Sequence, residues 1–134
     1  MEKVIVNISW SGENYCASVE LNGIVVSTNK SLEKLKSEFD SVFKFHVEGC
    51  AADGDKLPEY LLSGNYEYKY EYEASALLHS MDGIITRAAI ARETGINERQ
   101  IAHYASGFRN PRPEQRIRIV EGIHSIGQRL MTVV

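Results

Sequence analysis

The polar side chains best suited to hydrogen bonding in a specific pattern stand close together in the second half of the chain. Four of them fall between residues 98 and 103: Glu98, Arg99, Gln100 and His103. An arginine can donate two bonds to guanine O6 and N7, a glutamine can pair with adenine, and a glutamate can accept from cytosine N4. These residue types at this spacing indicate a surface that could read base edges in duplex DNA.

Four further residues flank that group and could hold the phosphates of a duplex. They are Arg87, Arg109, Asn110 and Arg112. Phosphate contacts from such side chains position a protein on DNA but carry no sequence information. An ordinary solvated surface is the alternative interpretation of each residue.

The charged residues are divided unevenly between the two halves of the chain. Residues 1–75 carry seven lysines and no arginine against thirteen acidic residues, for a net charge of −6. Residues 76–134 carry eight arginines and no lysine against five acidic residues, for a net charge of +3. We interpret the halves as two domains, 1–75 and 76–134, with different partners, although uneven residue usage without functional meaning would give the same counts.

No catalytic or metal-binding pattern competes with this interpretation. The chain lacks a Gly-x-Ser-x-Gly elbow and a P-loop, and His79, His103 and His124 do not have the spacing of an HExxH motif. Cys16 and Cys50 are the two cysteines, which cannot build a disulfide framework or a cysteine zinc site. We therefore expect two small, buried or half-buried thiols, no enzyme activity, no metal and no cofactor.

Length and composition are those of an ordinary folded protein. The chain has 134 residues, 43% of them hydrophobic and 25% charged, which is enough for one domain or two small ones. Its start lacks the basic and apolar regions of a secretory signal, and no apolar run approaches the ~20 residues of a membrane span. We expect a soluble cytoplasmic protein with no membrane partner.

Alternating apolar residues open the first half and predict β-strands. The stretches Val4–Trp10, Tyr15–Leu21 and Ile24–Thr28 each alternate or are rich in β-branched residues. Turn residues separate them, and Asn22-Gly23 is a strong signal for a two-residue hairpin. The pattern predicts a three-stranded antiparallel meander.

A helix and a fourth strand follow the meander. Ser31 can cap the helix, and the pattern predicts its end near Gly49. One apolar stripe should lie on the sheet, formed by Leu32, Leu35, Phe39, Val42, Phe43 and His46. We expect His46 to be partly buried and hydrogen bonded.

Four tyrosines alternate with charged residues in the predicted fourth strand, which spans residues 66–72. One face of this strand is aromatic and the other is charged. Stacked tyrosines can hold nucleobases, but the intervening residues are mostly acidic and would repel phosphate. A tyrosine face that packs on a helix or a second subunit is the favoured interpretation.

The second half changes to helical spacing and predicts four short helices. The first covers Leu77–Ile85 and the second runs from a Thr86 cap to about Glu93. Asn97 caps the third, with Gln100 placed for a capping box, and Pro113 begins the fourth. The fourth helix is expected to bury Ile119, Ile123, Ile126 and Leu130, flanked by Ile117 and Val120.

The second and third helices have the spacing of a DNA-binding helix-turn-helix. Such a motif needs a small residue at the helix crossing, a positive-φ residue in the turn and apolar residues that pin the pair to the domain. Six residues match these roles: Ile90, Ala91, Gly95, Ile96, Ile101 and Tyr104. The N-terminal end of the third helix, which carries Glu98, Arg99, Gln100 and His103, would then enter the major groove, and a structural α-hairpin is the weaker alternative.

Residues 82–130 resemble the Cro/CI-type, lambda-repressor-like helix-turn-helix domain, through the segments 91–96, Gln100-Ile101 and 107–111. Residues 1–75 resemble the HicB antitoxin fold, through the order of elements, the loop that ends Leu57-Pro58 and the segment 64–67. Together they resemble the HicB family of type II toxin–antitoxin systems.

The resemblance implies an α+β chain with a partial ribonuclease-H-like first domain that has no catalytic carboxylates, followed by an all-α domain. The first domain would neutralise a small basic HicA-like toxin that cleaves mRNA, and its acidic charge suits that partner. The second would bind double-stranded operator DNA as a homodimer or tetramer and repress its own operon. A small ribonuclease-H-like enzyme is a weaker alternative. A stand-alone transcriptional regulator with an N-terminal ligand-sensing or oligomerisation domain is the other.

Overall fold

The computed structural model describes all 134 residues, and it is α+β, with one four-stranded mixed sheet and six helices. The chain divides into two compact units, Met1–Tyr72 and Glu73–Val134. All four strands lie in the first unit, and four of the helices lie in the second.

The sheet contains the predicted antiparallel meander. Its strands are β1 (Glu2–Trp10), β2 (Tyr15–Glu20), β3 (Ile24–Asn29) and β4 (Tyr66–Tyr72), in the order β3-β2-β1-β4. The hairpin between β2 and β3 turns where predicted, with φ of 48° at Asn22 and 118° at Gly23. The fourth strand pairs in parallel with β1, so the chain must cross over between them, and helix α1 (Leu32–Ala52) makes that crossing.

Helix α1 buries a narrower and longer stripe than the sequence predicts. Ser31 caps it as expected, accepting a bond from the Lys34 backbone N–H at 3.3 Å. The side chains it buries recur every three or four residues: Leu35, Phe39, Phe43, Val47 and Cys50. Two expectations are wrong. Val42 is 39% exposed because it lies beside this stripe. The helix also continues past Gly49 to Ala52, because burial of Val47 and Cys50 offsets the poor helix propensity of glycine.

A five-residue helix that the sequence analysis did not predict precedes β4. This helix, α2 (Glu59–Ser63), begins after Pro58 and ends at Gly64, whose φ is 76°. It buries Leu61 against the unit. So short a segment has too few turns to show helical periodicity in sequence.

The tyrosine face of β4 packs on α1. The Phe43 ring lies 5.7 Å from that of Tyr66 and 5.8 Å from that of Tyr68, measured between centroids. Tyr68 Oη donates to Asp40 Oδ1 at 2.7 Å, and both burial and this bond raise the pKa of Tyr68. These rings are therefore occupied by core contacts rather than open to nucleobases.

The histidine and the two cysteines of the first unit are all buried or half-buried. His46 is half-buried, and its Nε2 lies 2.6 Å from the Leu21 carbonyl oxygen, which confirms the expected hydrogen bond. Cys16 is half-buried and Cys50 is buried, both as free thiols. Burial raises the pKa of Cys50, which favours its neutral thiol over the thiolate.

Four helices surround the core of the second unit: α3 (Ala74–Met81), α4 (Arg87–Thr94), α5 (Glu98–Ser106) and α6 (Pro113–Met131). Their core consists of Ala74, Leu78, Ile90, Ile96, Ile101, Tyr104, Ala105, Ile119 and Ile126. The division predicted after residue 75 falls inside α3, whose Ala74 belongs to this core.

Three apolar residues predicted for helix faces in this unit are exposed instead. The first helix ends at Met81, before a turn at Gly83, so Ile84 lies outside it and is 70% exposed. On α6, Ile117 is 54% exposed because it lies on the side of the helix opposite Ile119, and Leu130 is 60% exposed because it lies one turn past Ile126, the last core residue of that face. Periodicity locates an apolar face but not how much of it neighbouring helices cover.

We expect Gly122→Ala to destabilise the second unit by about 1–3 kcal/mol. A Cβ at Gly122 on α6 would lie 2.5 Å from Thr94 Cγ2 on α4. Thr94 cannot rotate freely, because its Oγ1 donates to the Ile90 carbonyl and accepts from the Ile96 backbone N–H. The matched change Gly127→Ala, where nothing lies within 4 Å, should stabilise the unit by about 0.5–1 kcal/mol. Urea unfolding of both variants measures the difference, and equal effects would show that α4 and α6 do not cross closely at Gly122.

Candidate functional site

The candidate site is built on α4 and α5, two short helices joined by a tight turn. Thr86 caps α4 by accepting from the Ala89 backbone N–H at 3.0 Å. Gly95 ends α4 with φ of 75°, a conformation that glycine adopts without steric cost. Asn97 then caps α5 by accepting from the Arg99 backbone N–H at 2.8 Å. These local bonds fix where α5 begins.

The residues expected to hold the two helices together do so. Ile90, Ile96, Ile101 and Tyr104 are each no more than 5% exposed and belong to one core cluster. Ala91 is partly buried against the same cluster, as a small residue at a helix contact should be. The opposite face of α5 is therefore turned away from the core.

Two predicted base-reading side chains, Arg99 and His103, stand one turn apart on that face of α5. Arg99 is exposed and His103 is half-buried. Together with Asn97 and Gln100 they line an open groove of about 460 Å³. Glu98 is exposed at the first position of the helix.

Gln100 does not complete the predicted capping box. Its Nε2 instead donates to Tyr104 Oη at 2.9 Å, one turn along α5. The bond gives a partner to the hydroxyl of Tyr104, a residue that is 5% exposed. Gln100 keeps its Oε1 and a second N–H for other partners, so its capacity to contact a base is reduced but not lost.

Three of the four predicted phosphate-binding residues gather beside α5. Arg109, Asn110 and Arg112 are exposed, and they line a second open groove of about 510 Å³ together with Gln100 and Tyr104. The same groove contains Glu114 and Gln115. Gln100 lies on α5 and Arg112 stands directly before α6. The turn between the two helices brings both side chains to this groove.

Arg87 lies apart from these grooves, at the start of α4. Its guanidinium lies 3.3 Å from Asp82 Oδ2, and that carboxylate also lies 3.4 Å from His79 Nδ1. Burial lowers the pKa of His79, while the Asp82 carboxylate opposes that shift. A phosphate at Arg87 would have to share the guanidinium with Asp82, a partner that the sequence analysis did not identify.

Phe108 is a second feature that the sequence analysis did not assign. This side chain is 72% exposed in the turn after α5, and its ring lies 5.3 Å from that of His103. The sequence does contain a signal for this feature, because a large apolar residue stands in the otherwise polar segment between Gly107 and Pro111.

The first unit presents an open sheet face. Val4, Val6 and Ile8 of β1 are buried, whereas Ile5, on the opposite face of the same strand, is 45% exposed. Ile24 and Val26 of β3 are 73% and 47% exposed. Charged side chains share this face, among them Glu20, Glu67 and Glu71, with Lys3 paired to Glu67 and Lys69 3.9 Å from Glu71. The open face therefore combines exposed aliphatic side chains on β1 and β3 with charged side chains, most of which lie on β4.

No group of three or more His, Cys, Asp or Glu side chains is arranged to hold a metal ion. None of the helices is both long and apolar enough to span a membrane. Comparison with protein-family models, with curated proteins and with solved structures finds no match to this chain.

Proposed function

We propose that this protein is an antitoxin that also represses its own operon. Its second unit would bind double-stranded operator DNA through a helix-turn-helix formed by α4 and α5. Its first unit would neutralise a small, basic, HicA-like toxin that cleaves mRNA. The observation that carries the proposal is the capped helix α5, which displays Arg99 and His103 over an open groove beside Arg109, Asn110 and Arg112.

Electrostatics and helix geometry both support a DNA duplex at this site. The N-terminal end of α5 carries a partial positive charge from its unpaired N–H groups, and the flanking arginines add to it. Phosphate contacts supply most of the affinity of such proteins, while side chains at exposed positions of the helix discriminate bases. The arrangement places candidates for both tasks on one surface.

The first unit is suited to a basic protein partner. It carries seven lysines against twelve acidic residues in Met1–Tyr72, a net charge of −5. Opposite charge steers association with a basic toxin, and the exposed aliphatic residues Ile5, Ile24 and Val26 supply apolar surface to bury. We propose the open sheet face as the surface that the toxin covers.

A homodimer is the assembly that DNA recognition favours, because one such domain holds only a half-site. Helix α6 has apolar surface for it near its C-terminal end, where Leu130 and Met131 are 60% and 85% exposed. Leu130 continues the face of α6 that carries Ile119 and Ile126, past the part that the core of the unit covers. We propose that α6 packs against α6 of a second copy.

Leu130→Glu should dissociate that dimer, because it places two like charges in the contact. We expect sedimentation equilibrium to show a monomer and operator affinity to fall at least tenfold. The control Leu62→Glu, at a residue of the first unit that is 52% exposed, should leave a dimer. If both variants stay dimeric, α6 is not the contact.

The proposed function is tested on the intact chain with two measurements. Fluorescence anisotropy with the DNA upstream of the gene, at several salt concentrations, should show binding that weakens steeply as salt rises. Co-expression with the adjacent small reading frame should restore growth and co-purify a small basic protein. DNA binding without any co-purified partner would instead indicate a stand-alone regulator, and absence of salt-dependent binding to any duplex would refute the helix-turn-helix assignment.

A further inference from the structure

Phe108 lies on the surface in a turn after α5 whose backbone is held by local hydrogen bonds. Gly107, with φ of 80°, ends the helix and donates its N–H to the Tyr104 carbonyl. The Phe108 N–H then donates to Ser106 Oγ at 3.2 Å, and the Arg109 N–H donates to the His103 carbonyl at 3.3 Å. These bonds fix the backbone of the turn that carries Phe108, a residue that is 72% exposed.

The neighbours of this ring belong to the candidate DNA surface. The ring of His103 meets it edge to face, with centroids 5.3 Å apart and planes at 63°. The guanidinium carbon of Arg109 lies 5.8 Å from its centroid. Phe108 is not part of the core cluster of the unit, so its exposed surface is available to a ligand.

The chemistry of the major groove limits what this ring can contact there. Base pairs present hydrogen-bond donors and acceptors in that groove, and the apolar group they display is the C5-methyl of thymine. An exposed phenyl ring fits that methyl and gains nothing from a carbonyl or amine. His103 lies one turn from Arg99 on α5, so a base at the His103–Phe108 pair would lie close to the base that Arg99 contacts.

We propose that Phe108, supported by the ring of His103, recognises a thymine methyl in each half-site. The inference rests on the proposed DNA-binding function and adds a specificity-determining residue to it. Arg109, next in the chain, would hold the adjacent phosphate and so set the depth of the ring in the groove. The operator would carry a thymine at this position because cytosine and uracil lack the methyl.

The test uses the intact chain and a duplex selected by it from a random-sequence pool. Each thymine of the selected duplex is replaced in turn by deoxyuridine, which removes the methyl and keeps the base pair. We expect one position per half-site to lose about three- to fivefold in affinity, the effect of one buried methyl group. Phe108→Ala should bind the unmodified duplex with a similar loss and should not distinguish thymine from deoxyuridine at that position.

Two control variants separate an apolar contact from general effects. Phe108→Leu keeps an apolar side chain and should still prefer thymine over deoxyuridine. Phe45→Ala removes the same residue type from a 78% exposed position in the first unit and should leave the preference unchanged. The unfolding midpoint of each variant should equal that of the parent, because both phenylalanines are exposed.

Two failures are distinguishable. If the parent binds duplex DNA but no deoxyuridine substitution weakens it, or if Phe108→Ala retains the preference for thymine, the methyl contact is refuted and the proposed function stands. If the parent binds no duplex in a salt-dependent way, the proposed function fails and this inference fails with it.

Discussion

Arg99→Ala should reduce affinity for the operator by about ten- to a hundredfold, because a bidentate contact to guanine discriminates its base by about 1–3 kcal/mol. Arg99 is exposed at the second position of α5 and lines an open groove with His103. The variant should also lose preference at one base pair per half-site. Anisotropy titrations on the operator and on random duplexes measure both effects.

Two arginine controls distinguish base reading from loss of charge. Arg109→Ala should weaken operator and random DNA to the same extent and reduce the salt dependence by about one phosphate contact. Arg92→Ala removes a charge from the exposed part of α4, outside both grooves, and should have a small and uniform effect. A loss for Arg99→Ala that is equal on operator and random DNA would assign this residue to phosphate binding.

Separating the two units should separate the two activities completely. The fragment 1–72 contains the whole sheet, α1 and the acidic charge, so it should neutralise the toxin and bind no DNA. The fragment 73–134 retains the core that includes Ala74 and Leu78, so it should bind operator DNA and give no growth rescue. Growth assays with the adjacent reading frame, and anisotropy titrations, measure the two activities.

The fragment boundary matters to this result. A cut after residue 75 would remove Ala74 from the second unit, where it is 3% exposed in the core. Growth rescue by 73–134 but not by 1–72 would reverse the assignment of the toxin surface. Circular dichroism of each fragment shows whether a lost activity reflects a lost fold.

Local patterns in the sequence were sufficient to predict most of the elements. Ser31, Thr86 and Asn97 each cap the helix predicted for them, and Gly95 and Gly107 have the positive φ that ends a helix. Caps and turns depend on bonds between residues at most four apart. Their signals are therefore complete within a short window of sequence.

The positions of distant residues could not be read in this way. The sequence predicted a fourth strand with an aromatic face but not that it lies parallel to β1, since pairing depends on residues such as Ile5 and Lys69 that are far apart in the chain. The exposure of Val42 and Leu130 was likewise set by which part of each helix its neighbours cover.

The candidate site shows the same division. The sequence by itself determined that Glu98, Arg99 and His103 follow a cap on one short helix, because helical periodicity assigns them to a face. Local signals did not decide which of several nearby partners a side chain takes: Gln100 bonds Tyr104 rather than closing a capping box, and Arg87 pairs with Asp82. Only the tertiary structure decided that the turn after α5 returns Arg109 and Arg112 to the same groove. These outcomes depend on how side chains compete for partners once the core has packed, and that competition leaves no periodic signal in the sequence.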